Sequence, residues 1–417
     1  MYDIRRQHPD DLDEIVRITS NAFPTRRELT PEGIEREKRR LAQLMEDDPE
    51  VECYGLYEDD VLIALARYYR FRTNLFGRVV ETAGIGSLAV DLLHKKKQSA
   101  FKLMRHFESW AKENELPLGM LLPFRPDFYK RLGYGFGSKF HEYRIAPENI
   151  PIYKTEMHLQ LIKPSEIEWI AEYHKKKTEQ THGLNHKLKR ELRVLQEDRE
   201  ARYVASFDED ENMEGYLRFR FQKPQEAGCF SQHLIADEWF VDSPKVLRKL
   251  LEFIRRQSDQ VELVIFHTSL DDFHLLFDNP LDTSGECIPH GNVKTNTQYT
   301  GIMYKVFSFE QSFRQFEYRR YGEEHLAIAF EVLDEQEEDV LESFTVGFQG
   351  AKGMLAAQTP DVHVRLKGSD FSSLFMGSVR FHSLVDFGLA QIDDPGYIQS
   401  IDRLFYLAQR PQCNSDF

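Results

Sequence analysis

Gly84-Ile-Gly-Ser-Leu-Ala-Val90, then His94-Lys-Lys-Lys-Gln-Ser-Ala100, and then Phe128-Tyr-Lys-Arg-Leu-Gly-Tyr-Gly135: the order of these three stretches decides how this 417-residue chain reads. The first is apolar and glycine-bearing, as a buried strand is. The second is a basic turn, followed by helical spacing from Phe101 to about Asn114 and a second apolar run, Leu116 to Leu122. Strand, cationic helix start, helix and strand together form a pocket for a pyrophosphate, because a helix start presents unpaired N–H groups and positive dipole. A tyrosine, Tyr129, stands just beyond it. Such a unit is expected of an enzyme that handles an acyl nucleotide thioester.

Two readings of the basic turn stand. Lys95, Lys96 and Lys97 supply charge while Gln98, Ser99 and Ala100 offer main-chain donors to a phosphate. Equally, lysines opening a surface helix form an ordinary solvated charge run.

Working outward, helices are expected from Asp10 to Phe23 and from Thr30 to Glu46. A hairpin follows, Val51–Tyr57 and Val61–Phe71, around the acidic turn Glu58-Asp-Asp60. The same order of elements returns about 145 residues later, as in an internally repeated chain. It comprises Ala201–Phe207, the turn Asp208–Asn212, Met213–Phe221, a strand at Leu234–Val241, a helix at Pro244–Gln257 and a strand at Val261–His267. The helix start of this copy, Asp242-Ser-Pro244, is a sound cap, but it lacks lysine and glycine and carries an aspartate where a phosphate would sit. The copy therefore reads as structural. After a turn-rich stretch, Pro280 to Thr297, come a helix at Phe309–Phe316, strands at 326–332, 343–349, 353–358 and 362–366, and helices at Ser369–Ser378 and Tyr397–Leu407.

The length fits two or three domains. A net charge of −15 argues against nucleic acid as a partner. No apolar run approaches the roughly 20 residues a membrane span needs, and the polar amino terminus does not read as a secretory signal. The four cysteines, Cys53, Cys229, Cys287 and Cys413, show neither metal nor redox spacing, so a cytoplasmic protein without a metal site is expected.

The basic turn between the fourth strand and its helix resembles that of the GNAT superfamily of N-acetyltransferases. Members bind acetyl-CoA through an Arg/Gln-x-x-Gly-x-Gly/Ala turn, and the matching positions here are Lys95-Lys-Lys-Gln98-Ser-Ala100. Alanine fits, lysine stands for arginine, and Gln98 stands where the first glycine is expected. Two such units and a third domain resemble the Eis-type (enhanced intracellular survival) enzymes. Those carry a Phe/Ile-Tyr-x-Arg/Lys-Phe/Tyr-Gly-Tyr/Trp segment, similar to Phe128–Tyr134, and end in an aromatic residue, as this chain ends in Asp416-Phe417. The resemblance implies an α/β (α+β) fold: a catalytic GNAT domain over 1–148, a second, degenerate GNAT-like domain over 149–295, and a sterol-carrier-protein-like domain over 296–417.

By the same resemblance, acetyl-CoA is a co-substrate. The backbone of Leu88, Ala89 and Val90 pairs with its pantetheine arm and gives an N–H to the thioester oxygen. Residues 95 to 100 hold the phosphates, with Phe101, Phe124 and Arg125 also at the cofactor. Phe417 is the general base through its terminal carboxylate, raised in pKa by burial and by Asp416, and Tyr129 is the general acid. The acceptor is a primary amine, as a cationic small molecule or a lysine side chain of a peptide, and the family implies a homo-oligomer, possibly hexameric. From the residues alone, Tyr129 also reads as a boundary tyrosine, Phe417 as a frayed end, and Glu81 as another base. Phe124 and Arg125, at the end of the fifth strand, read as lining the cofactor's adenine-distal side, and Arg125 reads equally as a surface residue. Phe371, Leu374, Phe375 and Met376 read either as plain core or as the lining of a lipid tunnel. The competing whole-chain reading is a non-catalytic acyl-CoA or lipid-binding scaffold.

Overall fold

The computed structural model describes residues 2–24, 30–156, 158–224, 231–288, 291–336, 339–415 and 417. Cys229 and Asp416 lie outside the described residues. The chain forms two compact units, one of Met1–Gly137, Thr181–Arg190 and Ile302–Phe417, the other of Ser138–Gln180 and Glu191–Gly301.

The first unit opens with β1 (Tyr2–Arg6), α1 (Leu12–Ala22), α2 (Pro31–Asp47), β2 (Val51–Glu58), β3 (Val61–Leu75) and β4 (Arg78–Val90). Next come α3 (Ser99–Glu113), β5 (Leu118–Leu121), a short α4 (Pro126–Lys130) and β6 (Gly135–Phe136). The Thr30 hydroxyl caps α2 by accepting the Gly33 N–H at 3.1 Å, with Pro31 pre-set in the first turn. On α3, Leu103, Met104, Phe107, Trp110 and Ala111 recur at helical spacing and are all buried, so that stripe seats the helix beside Tyr68 of β3.

The sheet runs β1-β2-β3-β4-β5, and then the strand Met303–Val306 precedes β6. A segment far along the chain thus closes the first sheet. β4 and β5 run parallel and pair only at Ala83↔Gly119 and Gly84↔Met120, whereas β4 stays paired with β3 as far as Ala64↔Val90. Beyond Gly84 the two parallel strands part, and one edge of β4 is left unpaired.

The rest of this unit is a five-stranded sheet in the order Lys352–Leu355, Val340–Gln349, Leu326–Leu333, Val362–Lys367, Ala390–Ile392. Its helix Gly368–Phe375 is buried along its whole length and packs so closely on β6 that a Cβ at Gly135 would lie 2.1 Å from the Ser369 carbonyl oxygen. Phe371 and Phe375 meet the rings of Phe309, Phe313, Phe316, Phe330 and Phe344. With Leu374 and Met376 they are packed core.

In the second unit β7 (Lys139–Ile145) lies between Thr297–Thr300 and Val261–Thr268, followed by Gln232–Val241, Met213–Gln222, Arg202–Phe207 and Leu159–Ile162. At the start of its helix Pro244–Arg255, Asp242 is held by Lys177 Nζ at 2.6 Å and Lys176 Nζ at 2.9 Å. Two ammonium groups occupy the carboxylate there. No helix among the described residues is long and apolar enough to cross a membrane.

Candidate active site

The candidate site is built on β4. Where β3 shifts register between Leu65 and Arg67, Ser87 takes a left-handed φ of 50°, a bulge that re-aims the residues after it. Leu88 and Val90 are half-buried and, with Phe101 of α3, pack on the cluster that holds Ile85, Tyr129, Leu132 and Tyr134. Ala89 is buried in the other large cluster, with Leu65.

Past Val90 the chain turns at Asp91, which accepts the Leu93 N–H at 2.8 Å and pairs with Arg17 at 2.7 Å and His94 at 3.2 Å. Burial pushes this carboxyl up, but the Leu93 N–H, Arg17 and His94 outweigh it and hold it below the usual range. Lys95, Lys96, Lys97 and Gln98 follow, all exposed. Lys97 stands 3.9 Å from Glu58, while Lys95 and Lys96 have no ion pair among the described residues. Lys96 has a φ of 63° and Gln98 a φ of 61° with ψ 16°, so Gln98 adopts the left-handed conformation that glycine enters without strain. A side chain there costs about 1 kcal/mol. Ser99 is buried and Ala100 half-buried as the helix begins.

Tyr129 lies in α4, opened by Pro126, and its carbonyl accepts the N–H groups of Leu132 at 2.9 Å and Tyr134 at 3.1 Å, with Gly133 at a φ of 86°. Only glycine turns there cheaply. The ring is buried, its hydroxyl has no hydrogen-bond partner among the described residues, and burial pushes the phenol up to about 12. Phe124 is exposed, and Arg125 is spent on Asp127 through bonds of 3.1 and 2.5 Å.

Phe417 lies on the opposite face of β4. A Cβ at Gly86 would stand 2.7 Å from its carboxyl carbon and 2.8 Å from its Cβ, and one at Gly84 would stand 3.1 Å from its ring. The two glycines thus leave the strand's surface free for the last residue. Its ring meets Phe71 at 4.9 Å and Tyr69 at 6.0 Å, both edge-on. The segment before it is tied down by 181–190: Gln412 N donates to the His182 carbonyl at 2.8 Å, and Asn185 Nδ2 donates to Ser415 Oγ at 3.1 Å. Asn185 Oδ1 in turn accepts from Thr73 Oγ1 at 2.6 Å. Glu81, by alternation with buried Thr82, sits on the face away from Phe417 and is exposed.

The fold therefore gathers Leu88, Val90, Phe101 and Tyr129 on one side of β4 and sets Phe417 on the other, with residues 95–100 at the strand's end. Phe124 and Arg125 stand apart from that cluster. Gly84, Gly86, His182 and Asn185 were not singled out for this role in the sequence. The Gly-x-Gly spacing, which bares alternate positions of one strand face, is the signal that could have found the first two.

Residues 3–137 match a family model described as acetyltransferase (GNAT) domain, residues 181–295 a second model of the same description, and residues 310–414 that of the sterol carrier protein domain. Among solved structures, a GCN5-related N-acetyltransferase from Anabaena variabilis is similar at 15% identity and a TM-score of 0.80, covering 99% of each chain. A probable N-acyltransferase from Enterococcus faecalis is similar at 15% identity and a TM-score of 0.78, and Eis1 from Mycobacterium abscessus at 18% and 0.75, each covering 100% of both chains. At these identities the likeness is one of fold. No curated protein matches the sequence.

Proposed function

The chain belongs to the GNAT acetyltransferases, with a C-terminal sterol carrier protein domain, and from that premise we propose that it moves the acetyl group of acetyl-CoA to a primary amine by direct attack. The observation that carries this reading is the seat of the Phe417 carboxyl carbon over Gly86, beside the place where β4 parts from β5. Catalysis is assigned to the segment 1–148, with 149–295 as a structural copy and 296–417 supplying the terminal residue. Residence in the cytoplasm as a homo-oligomer goes with the proposal.

The residues present suit the co-substrate. Lys95 and Lys96 are exposed and have no ion pair among the described residues, and the bare edge of β4 at Leu88–Val90 can accept the pantetheine arm as an added strand. In this reading the half-buried terminal carboxylate over Gly86 takes a proton from the ammonium of the acceptor. The freed nitrogen attacks the thioester carbonyl, and a main-chain N–H of the 88–90 stretch receives the developing oxyanion. As the C–S bond breaks, Tyr129 gives its proton to the departing sulfur, and the extra proton of the acetylated nitrogen passes to solvent, from which the tyrosinate is reprotonated. A phenol pushed to about 12 stays protonated until that moment.

Thiol release from acetyl-CoA across a panel of primary amines tests the reading, with Tyr129→Phe and deletion of Phe417 each expected to lower kcat. A melting temperature unmoved by millimolar acetyl-CoA would favour the non-catalytic scaffold instead.

A further inference from the structure

We propose that Arg67 receives an oxyanion of the acceptor, so that the amine acetylated here also carries a carboxylate or a phosphate close to its nitrogen. The inference rests on the acetyl-transfer reading and adds to it a substrate class.

Arg67 is only 4% exposed, yet its guanidinium makes no hydrogen bond and no ion pair among the described residues, and its Nη2 is sealed from solvent. A buried charge without a partner is among the costliest groups a fold can hold. Its position is informative. In the β3–β4 register Arg67 stands directly opposite Gly86, so its side chain leaves the sheet on the face where the Phe417 carboxyl carbon lies. Cβ positions paired in this way are about 5 Å apart, and an arginine reaches beyond that.

The neighbours do not neutralise it. Cys53, opposite Arg67 on β2, is held as a neutral thiol because burial pushes it up despite the pull of Arg67 and Arg190. Glu81 is on the other face. The Phe417 carboxylate forms no ion pair with it.

A second donor points to the same place. Tyr69, two residues on and on the same face, is fully buried with its hydroxyl unpartnered, opposite Gly84 and in ring contact with Phe417. A guanidinium fork and a phenol, both unsatisfied and both beside the proposed base, are the donors that a planar carboxylate or a phosphate takes up. The acceptor ammonium would meet the Phe417 carboxylate while its oxyanion meets Arg67. That spacing suits a short amino acid or a phosphorylated amino alcohol.

The test uses matched acceptors with the full-length enzyme: propylamine against β-alanine, and ethanolamine against phosphoethanolamine, assayed by thiol release. We expect kcat/KM for the charged member to exceed that of its partner by about ten- to a hundredfold, mostly through KM, since a charge-assisted bond contributes at that scale. In Arg67→Gln the charged member loses this advantage, and in Arg67→Lys part of it returns. A larger advantage for phosphoethanolamine than for β-alanine would identify the anion as phosphate, the reverse as carboxylate, and either supports the proposal. Equal turnover of both members in the wild type leaves acetyl transfer standing and overturns the inference, whether or not the variants fold. No thiol release with any amine, when acetyl-CoA still raises the melting temperature, overturns the transfer reading and the inference with it.

Discussion

Replacing Gly86 with alanine moves the terminal carboxylate without altering any atom of Phe417. The added methyl would stand 2.7 Å from the Phe417 carboxyl carbon and 2.8 Å from its Cβ. Non-bonded carbons settle at about 3.5–4.0 Å, so the last residue must retreat by about 1 Å. The obstacle is backbone, which cannot swing aside as a side-chain tip can. Gly86 has no left-handed φ, so alanine is otherwise at ease in the strand and the fold should keep its melting temperature within a few degrees. A displacement of about 1 Å in a reacting group lowers the rate on the order of a hundredfold, equivalent to about 2.7 kcal/mol on the barrier. The assay is kcat for thiol release at saturating acetyl-CoA, with the dissociation constant of acetyl-CoA measured alongside. We expect kcat to fall by about that factor while acetyl-CoA binding holds. Deleting Phe417 in the Gly86→Ala background should then add little, because both changes act on one group. Wild-type kcat in Gly86→Ala, or a fully multiplicative loss in the double variant, would refute the assignment of the carboxylate as base.

Tyr129→Phe should lower kcat by about a hundredfold, the usual worth of a positioned acid, with acetyl-CoA affinity kept. Because burial raises the phenol to about 12, the wild-type pH–rate profile should show no alkaline decline near pH 10, where an ordinary tyrosine would produce one. Lys95→Ala with Lys96→Ala should weaken acetyl-CoA binding about tenfold at low salt, and the difference should narrow as ionic strength rises. His182, buried, accepts the Phe76 N–H at Nδ1 and meets the Met376 carbonyl at 3.1 Å, and burial lowers it to about 4. Its neutral form is native, so stability is whole above about pH 6.5 and is lost as pH falls through about 4, by up to about 3 kcal/mol. Urea midpoints at pH 7 and pH 4.5 should diverge in the wild type and converge in His182→Gln.

The parts of the candidate site that lie close together in sequence are legible in it. The Gly84–Val90 strand, the lysine turn, the α3 stripe and Tyr129 sit within one short run whose periodicity switches from strand to helix and back. β4 begins earlier than the apolar run suggested, at Arg78, because its first residues alternate with polar ones and a tight turn at Phe76-Gly77 precedes them. What is set by distant pairing was not readable. Nothing local in Met303–Val306 says that it lies between β5 and β6, and nothing in Thr181–Arg190 says that it fastens residues 412–415. Arg67 looks in sequence like one charge in an apolar run, although it alternates in phase with Leu65 and Tyr69, both buried.

The late arrival of Met303–Val306 has a consequence for biosynthesis. β5 and β6 leave the ribosome about 180 and about 165 residues before the strand that joins them, an interval of roughly 10–35 s at ordinary elongation rates. Throughout that time the apolar rim Leu-Gly-Met-Leu of β5 is open to any passing strand. Nascent chains of this protein should therefore depend on holding chaperones, and a gene fragment encoding only residues 1–148 should yield inclusion bodies.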